Sequence, residues 1–559
     1  MCYIFGPFHH CARKIACRTV ADGSPSGGRL IRRRVILSGL FLLLFGLGWW
    51  VGRGGASSDL YSNLDQFVEV IHKVQDNYVD PVDPARLIDG ALRGMIADLD
   101  PFSQYLDRRA YAQLLTVTTG HYGGVGITVS VRDNWPIVIS PIEGGPAWEA
   151  GLRAGDAIVR IDASSAAGLN LEEAADKLRG PAGTEVRLSV RAEGDEEGHD
   201  YTLTRREIVT RSVPYAFMAG RRTGYVRLSN FSETSGAEVR AAIARLAAEG
   251  ATSLVLDLRS NPGGVLEQAV DVSEQLLPRG ALIVSRRGRG AGQDSRYYAA
   301  GARANLEWPV AVLIDGGSAS ASEIVAGALQ DLDRALLIGQ TSYGKGSVQR
   351  VFPIAGGSEA LKLTTALYYT PSGRSIHRRT RGTSDTEEGD TPDTSATGGD
   401  SLPRPRFHTT AGRLVYGGGG ITPDMEVIPD SLPPLTLLLE RQGLPFRFAN
   451  RWVNTHPGLK SGAAIGEDTW NAFLSFARTA KVAVSDEAAR AERPRLERAL
   501  RRELARRLSG DAAAARIAFE TDPVVQRALA ALGHARLPRD VFAGIPDAAR
   551  PAPAGAVAH

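Results

Sequence analysis

Pro309-Val-Ala-Val-Leu-Ile-Asp315-Gly-Gly-Ser318-Ala-Ser320-Ala-Ser322-Glu-Ile-Val-Ala-Gly-Ala-Leu-Gln330 runs from an apolar strand, Pro309–Asp315, into a helix, Ala321–Gln330, through a turn of glycines and serines. A short strand without polar alternation reads as buried on both faces, which is the pattern of a parallel sheet covered by helices. The same alternation extends from Thr223 to about Thr370. Strands are expected at Gly224–Ser229, Ser253–Leu258 and Ala335–Ile338, and helices at Ala237–Ala248 and Val265–Leu277. The reading is an α/β core.

Upstream, residues 118–205 change character. Short β-like runs (Gly126–Val131, Ile137–Ser140, Ala157–Ile161, Glu185–Ala192, Tyr201–Arg205) surround one helix, Leu171–Leu178, as in a small β-rich module. Residues 60–117 read as helical, with Leu64, Phe67, Val68, Ile71 and Val74 forming an apolar stripe until Pro81 and Pro84 interrupt it. Residues 380–406 are polar and Gly/Pro-rich, a composition that cannot bury a core, and are expected to be a flexible insertion in a core spanning 206–430. Residues 431–546 read as amphipathic helix and 547–559 as a disordered tail.

Arg32-Arg33-Arg34 precedes Val35–Val51, 17 uncharged residues ending near Trp49-Trp50. A basic flank and an aromatic far end predict one transmembrane helix, with residues 1–34 as a cytoplasmic tail and everything from about 55 exported. A cleaved signal peptide is the competing reading, but Gly52-Arg53-Gly54-Gly55-Ala56 is a poor cleavage site. The expected location is a bacterial inner membrane, single-pass, with the body in the periplasm.

Composition narrows the chemistry. At roughly 150 residues per domain, 559 residues make three or four domains. A net charge of +3 is too small to indicate a nucleic-acid binder. The cysteines are Cys2, Cys11 and Cys17, so the main body has no disulfide framework, cysteine nucleophile or cysteine zinc site. Only seven lysines occur, and no histidine lies between 223 and 370.

A serine at a strand-to-helix turn has its hydroxyl exposed beside helix N–H groups, which suits nucleophilic attack and stabilisation of an oxyanion. The bland alternative is that Ser318, Ser320 and Ser322 only cap the helix. With no histidine in range, a base has to come from elsewhere. Ser342-Tyr-Gly-Lys345-Gly-Ser-Val-Gln349 offers a lysine between glycines, and burial can make a lysine neutral enough to serve. Lys362 is a rival by residue type alone.

In the β-rich module, His121-Tyr-Gly-Gly-Val-Gly-Ile-Thr-Val129 places Gly124 and Gly126 where backbone N–H groups can converge on a carboxylate. Val125 lies between them, and Ile127, Val129 and Leu178 are candidates for the pocket that takes a peptide's last side chain. Gly145-Pro-Ala-Trp-Glu-Ala-Gly-Leu-Arg-Ala-Gly-Asp-Ala-Ile158 then gives residues 118–205 a close resemblance to a PDZ domain.

Together, Gly317-Ser-Ala-Ser-Ala-Ser-Glu-Ile324 and Tyr343-Gly-Lys-Gly-Ser-Val-Gln349 resemble the carboxy-terminal processing peptidases, the tail-specific Ser-Lys proteases of family S41. The resemblance covers roughly 60–430. It includes Leu99-Asp-Pro-Phe-Ser103, Asp257-Leu-Arg-Ser-Asn-Pro-Gly-Gly264, Leu361-Lys-Leu-Thr-Thr365, Thr370-Pro-Ser-Gly-Arg-Ser375 and Gly417-Gly-Gly-Gly-Ile-Thr-Pro-Asp424. It implies an S41, crotonase-like α/β catalytic core with an inserted PDZ domain, a helical N-terminal segment and a helical C-terminal extension. It further implies Ser320 as nucleophile, Lys345 as general base and Gln349 as the residue orienting the lysine. The oxyanion donors would be the Ala321 amide and either Gly263 or Gly264. Substrates would be proteins with apolar, free C-termini. No metal or cofactor is implied, and a homo-oligomer or an activator protein is left open as partner.

Two rivals fall short on residues. Gly339-Gln-Thr-Ser-Tyr-Gly-Lys345 matches a nucleotide-binding loop, but residue 346 is Gly where a magnesium-binding hydroxyl belongs, and Ser347–Phe352 reads as strand, not helix. No chymotrypsin-like serine motif is present. A catalytically inactive PDZ adaptor at the membrane is the remaining alternative.

Overall fold

The computed structural model describes residues 58–192, 198–290, 294–301, 307–378 and 404–544. The apolar run 35–51, the tail before it, most of the 380–406 insertion and the terminal 547–559 lie outside the described residues. Among the described residues no helix is long and apolar enough to cross a membrane.

The chain divides into two compact units with a boundary at Tyr105. The first holds α1, Ser58–Asn77, and α2, Pro84–Ala97. Asp83 caps α2 by accepting the Ala85 amide at 3.0 Å, and Pro84 opens the helix where its missing N–H costs nothing. Asp100 then gathers the Phe102 and Ser103 amides and the Ser103 hydroxyl into a turn. The expected stripe on α1 is helical in spacing but not buried: Leu64 is 48% exposed and Val68 49%. Two helices alone cannot close a core over both apolar faces.

The second unit opens with α3, Arg108–Thr119. Strands β1 (His121–Gly124), β2 (Ile127–Arg132), β3 (Trp135–Pro141) and β4 (Ala157–Ile161) follow, then α4 (Leu171–Leu178), β5 (Glu185–Arg191), β6 (His199–Thr204) and β7 (Arg206–Val209). One sheet has the order β2-β3-β4-β5-β6, and β1 pairs with β7. Its core centres on Val138, Ile158, Ile161, Val186 and Leu188. Asn170 and Glu173 close a reciprocal capping box that starts α4.

The next elements are β8 (Ala216–Met218), β9 (Thr223–Arg227), α5 (Ser235–Ala248), β10 (Ser253–Asp257) and α6 (Leu266–Glu274). After them come β11 (Leu282–Gly288), β12 (Ser295–Tyr298), β13 (Val310–Ile314), α7 (Ala321–Asp331) and β14 (Leu336–Gly339). The long hairpin β15 (Ser347–Ile354) and β16 (Glu359–Tyr369) and the short β17 (Met425–Glu426) follow, and a small separate hairpin pairs Arg406–His408 with Leu414–Tyr416. The central sheet runs β8-β9-β10-β13-β14-β17, parallel except for β8. A second, antiparallel sheet contains β15-β16-β11-β12.

Alternation along the central strands assigns two faces. Leu254, Leu256, Val310, Val312 and Ile314 pack against α5, α6 and α7. Val255, Ala311, Leu313, Leu336 and Ile338 point the other way, onto Val524, Val525, Ala528 and Leu532. Those four belong to the last of six C-terminal helices: α8 (Pro434–Arg441), α9 (Leu444–Thr455), α10 (Glu467–Thr479), α11 (Asp486–Ser509), α12 (Asp511–Phe519) and α13 (Pro523–His534). Helices α8–α11 share a core of their own around Leu439, Phe448, Phe473 and Leu500. This region also touches the β-rich module, where the Arg132 guanidinium lies 5.7 Å over the Phe446 ring.

Candidate active site

Ser320 sits between β13 and α7 with φ +57° and ψ −112°, a conformation that costs a serine about 1–3 kcal/mol and persists only where its surroundings impose it. The surroundings are rigid. Ala319 donates its amide to the Asn261 carbonyl at 2.9 Å. Ser322 donates its hydroxyl to the same carbonyl at 2.9 Å, and Ser318 donates to the Leu258 carbonyl at 2.8 Å. The two flanking serines therefore hold the turn against the 257–264 loop, and Ser320 stands between them fully buried.

Lys345, 6% exposed, lies in the loop before β15. Two side chains bind this loop to the Ser320 turn. The Glu323 carboxylate, wholly buried, accepts the Ser320 amide at 2.8 Å and the Lys345 amide at 2.8 Å on Oε2. Its Oε1 accepts the Gly344 amide at 2.7 Å and the Ser342 hydroxyl at 2.5 Å. The Ser342 oxygen in turn accepts the Ile421 amide at 2.7 Å. All four groups facing Glu323 are donors, so the ionised carboxylate is the form that fits. Burial pushes this carboxyl above the usual range; the hydrogen bonds from Ser342, Ser320, Gly344 and Lys345 oppose the rise without cancelling it. The second brace is the Tyr368 hydroxyl on β16, which donates toward the Ser320 carbonyl (3.1 Å) and the Lys345 carbonyl.

Gln349 is buried on β15 opposite Thr364. Its Nε2 donates to the Ser347 hydroxyl at 2.9 Å and, more weakly, to Thr364 Oγ1 at 3.3 Å. Its Oε1 is a buried acceptor with no hydrogen bond among the described residues. The rival Lys362 is also buried, two cross-strand pairs further along the hairpin, opposite Val351.

In the 257–264 loop, Asn261 donates to the Leu228 carbonyl and accepts the Gly263 amide at 2.9 Å. That use of its N–H turns Gly263 inward to the loop. Gly264 runs beside Phe231, where a Cβ would lie 1.9 Å from the Phe231 oxygen, so only glycine fits. No hydrogen bond from the Gly264 amide occurs among the described residues.

In the β-rich module the tight turn falls at Gly126, φ +74°, while Gly124 ends β1 in extended pairing with Arg206 and Arg179. Val125 and Leu178 are already buried in the module's core at 2% and 5% exposure. Ile127 and Val129 remain half-buried on β2. Arg179, at the end of α4, lies 5.3 Å over the Tyr122 ring, which sets a positive charge beside the Gly124 bridge.

Sequence reasoning missed Glu323 and Tyr368. The first had a signal: Ser320-x-x-Glu323 is capping-box spacing, three residues apart. Tyr368 had none, because its role depends on a strand folding back from 48 residues away.

Comparison with known proteins gives the family. Family models match peptidase family S41 over 222–389, a PDZ domain over 137–192 and the activating protease CtpB N-terminal domain over 53–110. A carboxy-terminal-processing protease of Bartonella bacilliformis is 43% identical over 320 residues, covering 56% of this chain and 73% of that protein. The carboxy-terminal processing protease CtpA of Bacillus subtilis is 32% identical over 346 residues, covering 62% and 73%. Among solved structures, a photosystem II D1 C-terminal processing protease is 28% identical, covering 66% of this chain and 93% of that chain with a TM-score of 0.35. An α/β core joined to a PDZ domain, with these family models and relatives, defines a serine-type peptidase. The chain belongs to the carboxy-terminal processing proteases of family S41.

Proposed function

We propose that this protein is a membrane-anchored, exported endopeptidase that takes up protein C-terminal tails through its PDZ domain and cleaves them with a Ser320–Lys345 dyad. The observation that carries the reading is the joining of the two loops: Ser320 and Lys345, 25 positions apart, are both buried and both bound to Glu323. The anchor would be Val35–Val51, placing the body in the periplasm of a bacterial cell.

In this mechanism Ser320 Oγ attacks the scissile carbonyl carbon as the neutral Lys345 amine takes its proton. Burial of Lys345 favours the uncharged amine that a base requires. The open Gln349 oxygen suits an N–H of that amine. The carbonyl oxygen becomes an oxyanion facing the Ala321 amide at the start of α7. Gly264 is the better second donor, since Gly263 already spends its N–H on Asn261. Each such donor is worth about 3–4 kcal/mol to the transition state. Collapse of the tetrahedral species breaks the C–N bond, and the leaving amine takes the proton from the Lys345 ammonium. Water then hydrolyses the acyl-enzyme with Lys345 again as base. The tail's carboxylate would dock at the Gly124–Ile127 loop beside Arg179, with Ile127 and Val129 meeting its last side chain.

The test uses the full-length chain in detergent as wild type, Ser320→Ala and Lys345→Ala, incubated with an unfolded protein ending in apolar residues. Mass spectrometry should show fragments from the wild type alone. Near-wild-type turnover by a folded Lys345→Ala variant would remove the lysine from the mechanism.

A further inference from the structure

The root of the 257–264 loop is held by a residue that lies 263 positions downstream. Arg259 donates from Nε and Nη2 to the buried Asp257 carboxylate, at 3.0 Å to Oδ1 and at 3.1 and 2.6 Å to Oδ2. Asp257 also accepts the Tyr225 hydroxyl at 2.7 Å and the Arg227 guanidinium at 3.0 Å, so this end of Arg259 is fixed. The remaining arm, Nη1, donates to Asp522 Oδ2 at 2.6 Å. Ser260 follows directly with φ +50°, its amide and hydroxyl bound to Asp315 at 2.6 and 3.0 Å. The strained residue is therefore braced by Arg259 on one side and Asp315 on the other, and Asn261 and the glycines hang from it.

Asp522 does two things with two oxygens. Oδ1 caps α13 by accepting the Val524 and Val525 amides at 3.0 and 3.2 Å. A cap needs only that oxygen. Oδ2 is spent on Arg259. Since α13 covers the second face of the central sheet, the helix that completes the core also delivers this anion to the loop.

We infer that Asp522 is a positioning residue of the reaction centre, through which the C-terminal helical region sets the 260–264 loop by way of Arg259. The inference rests on the proposed role of that loop beside Ser320. The pair is only about one-fifth exposed on each side, so salt screens it weakly. Its effect belongs in turnover and not in substrate affinity, because neither residue lies in the PDZ groove.

The experiment compares full-length wild type, Ser320→Ala and Asp522→Asn on the same unfolded substrate. Asparagine keeps the helix cap and removes the charge. Asp522→Asn should lose roughly tenfold in kcat with KM within twofold. Asp522→Asn with wild-type kcat, beside an inactive Ser320→Ala, overturns the inference and keeps the reaction centre. An active Ser320→Ala overturns the reaction centre itself. If Asp522→Asn does not fold, Asp522→Ser, which also keeps a capping oxygen and removes the charge, is read in its place, and a wild-type kcat in that variant counts against the inference.

Discussion

The two faces of the central sheet are built from the same strands by opposite routes. The face toward α5–α7 is covered by helices that follow their strands directly in sequence, and it carries the Ser320 turn. The other face is covered by α13, from more than 180 residues beyond β14. Local succession builds the proposed reaction centre on one side; on the other, long-range packing supplies closure and one charge at the root of a loop. The lesson is that covering a sheet and equipping a site are separable tasks, and the far helix here contributes to both.

Three experiments, with four substitutions, probe that contrast. Glu323→Gln tests the near face. The amide is isosteric, but it presents N–H groups to two of the four donors around it and should release the Lys345 loop. Turnover should fall on the order of 10²-fold, as for a misplaced catalytic group, with far-UV circular dichroism unchanged. Turnover within threefold of wild type would reduce Glu323 to a helix cap.

Asp257→Asn tests the junction of the two faces. Burial alone would push the Asp257 carboxyl up, but Arg259, helped by Arg227 and the Tyr225 hydroxyl, holds it below the usual range. Asparagine removes the anion that Arg227 and Arg259 share, at a cost of about 3 kcal/mol, the lower end for a broken buried pair because both arginines keep some solvent access and Arg259 keeps Asp522. The sign follows from linkage. A carboxyl depressed in the folded state stabilises above its unfolded value of about 3.9, and that stabilisation is lost as pH falls through the folded value. The wild-type advantage in Tm should be full at pH 7 and narrow below about pH 4; a gap independent of pH would point to lost packing instead.

Leu532→Ala on the far face, paired with Leu246→Ala on the near face, asks whether the two covers form one cooperative core. Both side chains are buried, at 3% and 0% exposure, and each truncation should cost about 2–4 kcal/mol in denaturant unfolding. A loss below 1 kcal/mol for Leu532→Ala alone would make the far cover an accessory.

Much of the molecule was legible in order along the chain. The strand ending at Ile314, the helix from Ala321, the strand Ala157–Ile161 and the helix Leu171–Leu178 were readable because hydrophobic period and capping residues act over a few neighbours. The stripe on α1 was legible as a helix face but not in its exposure, since spacing fixes which residues share a face and not what covers it. Gly124 and Gly126 looked equivalent in sequence, and only the structure gives the left-handed turn to Gly126.

By itself, then, the sequence determined the α/β succession, the PDZ signature, the family and the placement of Ser320 at a strand-to-helix turn, all of which are encoded in residues close together in the chain. The tertiary structure alone decided that Glu323 and Tyr368 bind the serine and lysine loops together, that Gly263 turns its amide onto Asn261, and that Asp522 reaches Arg259. The physical reason is range: period and capping act between neighbours, whereas a buried carboxylate or a salt bridge chooses its partners only after distant segments have packed.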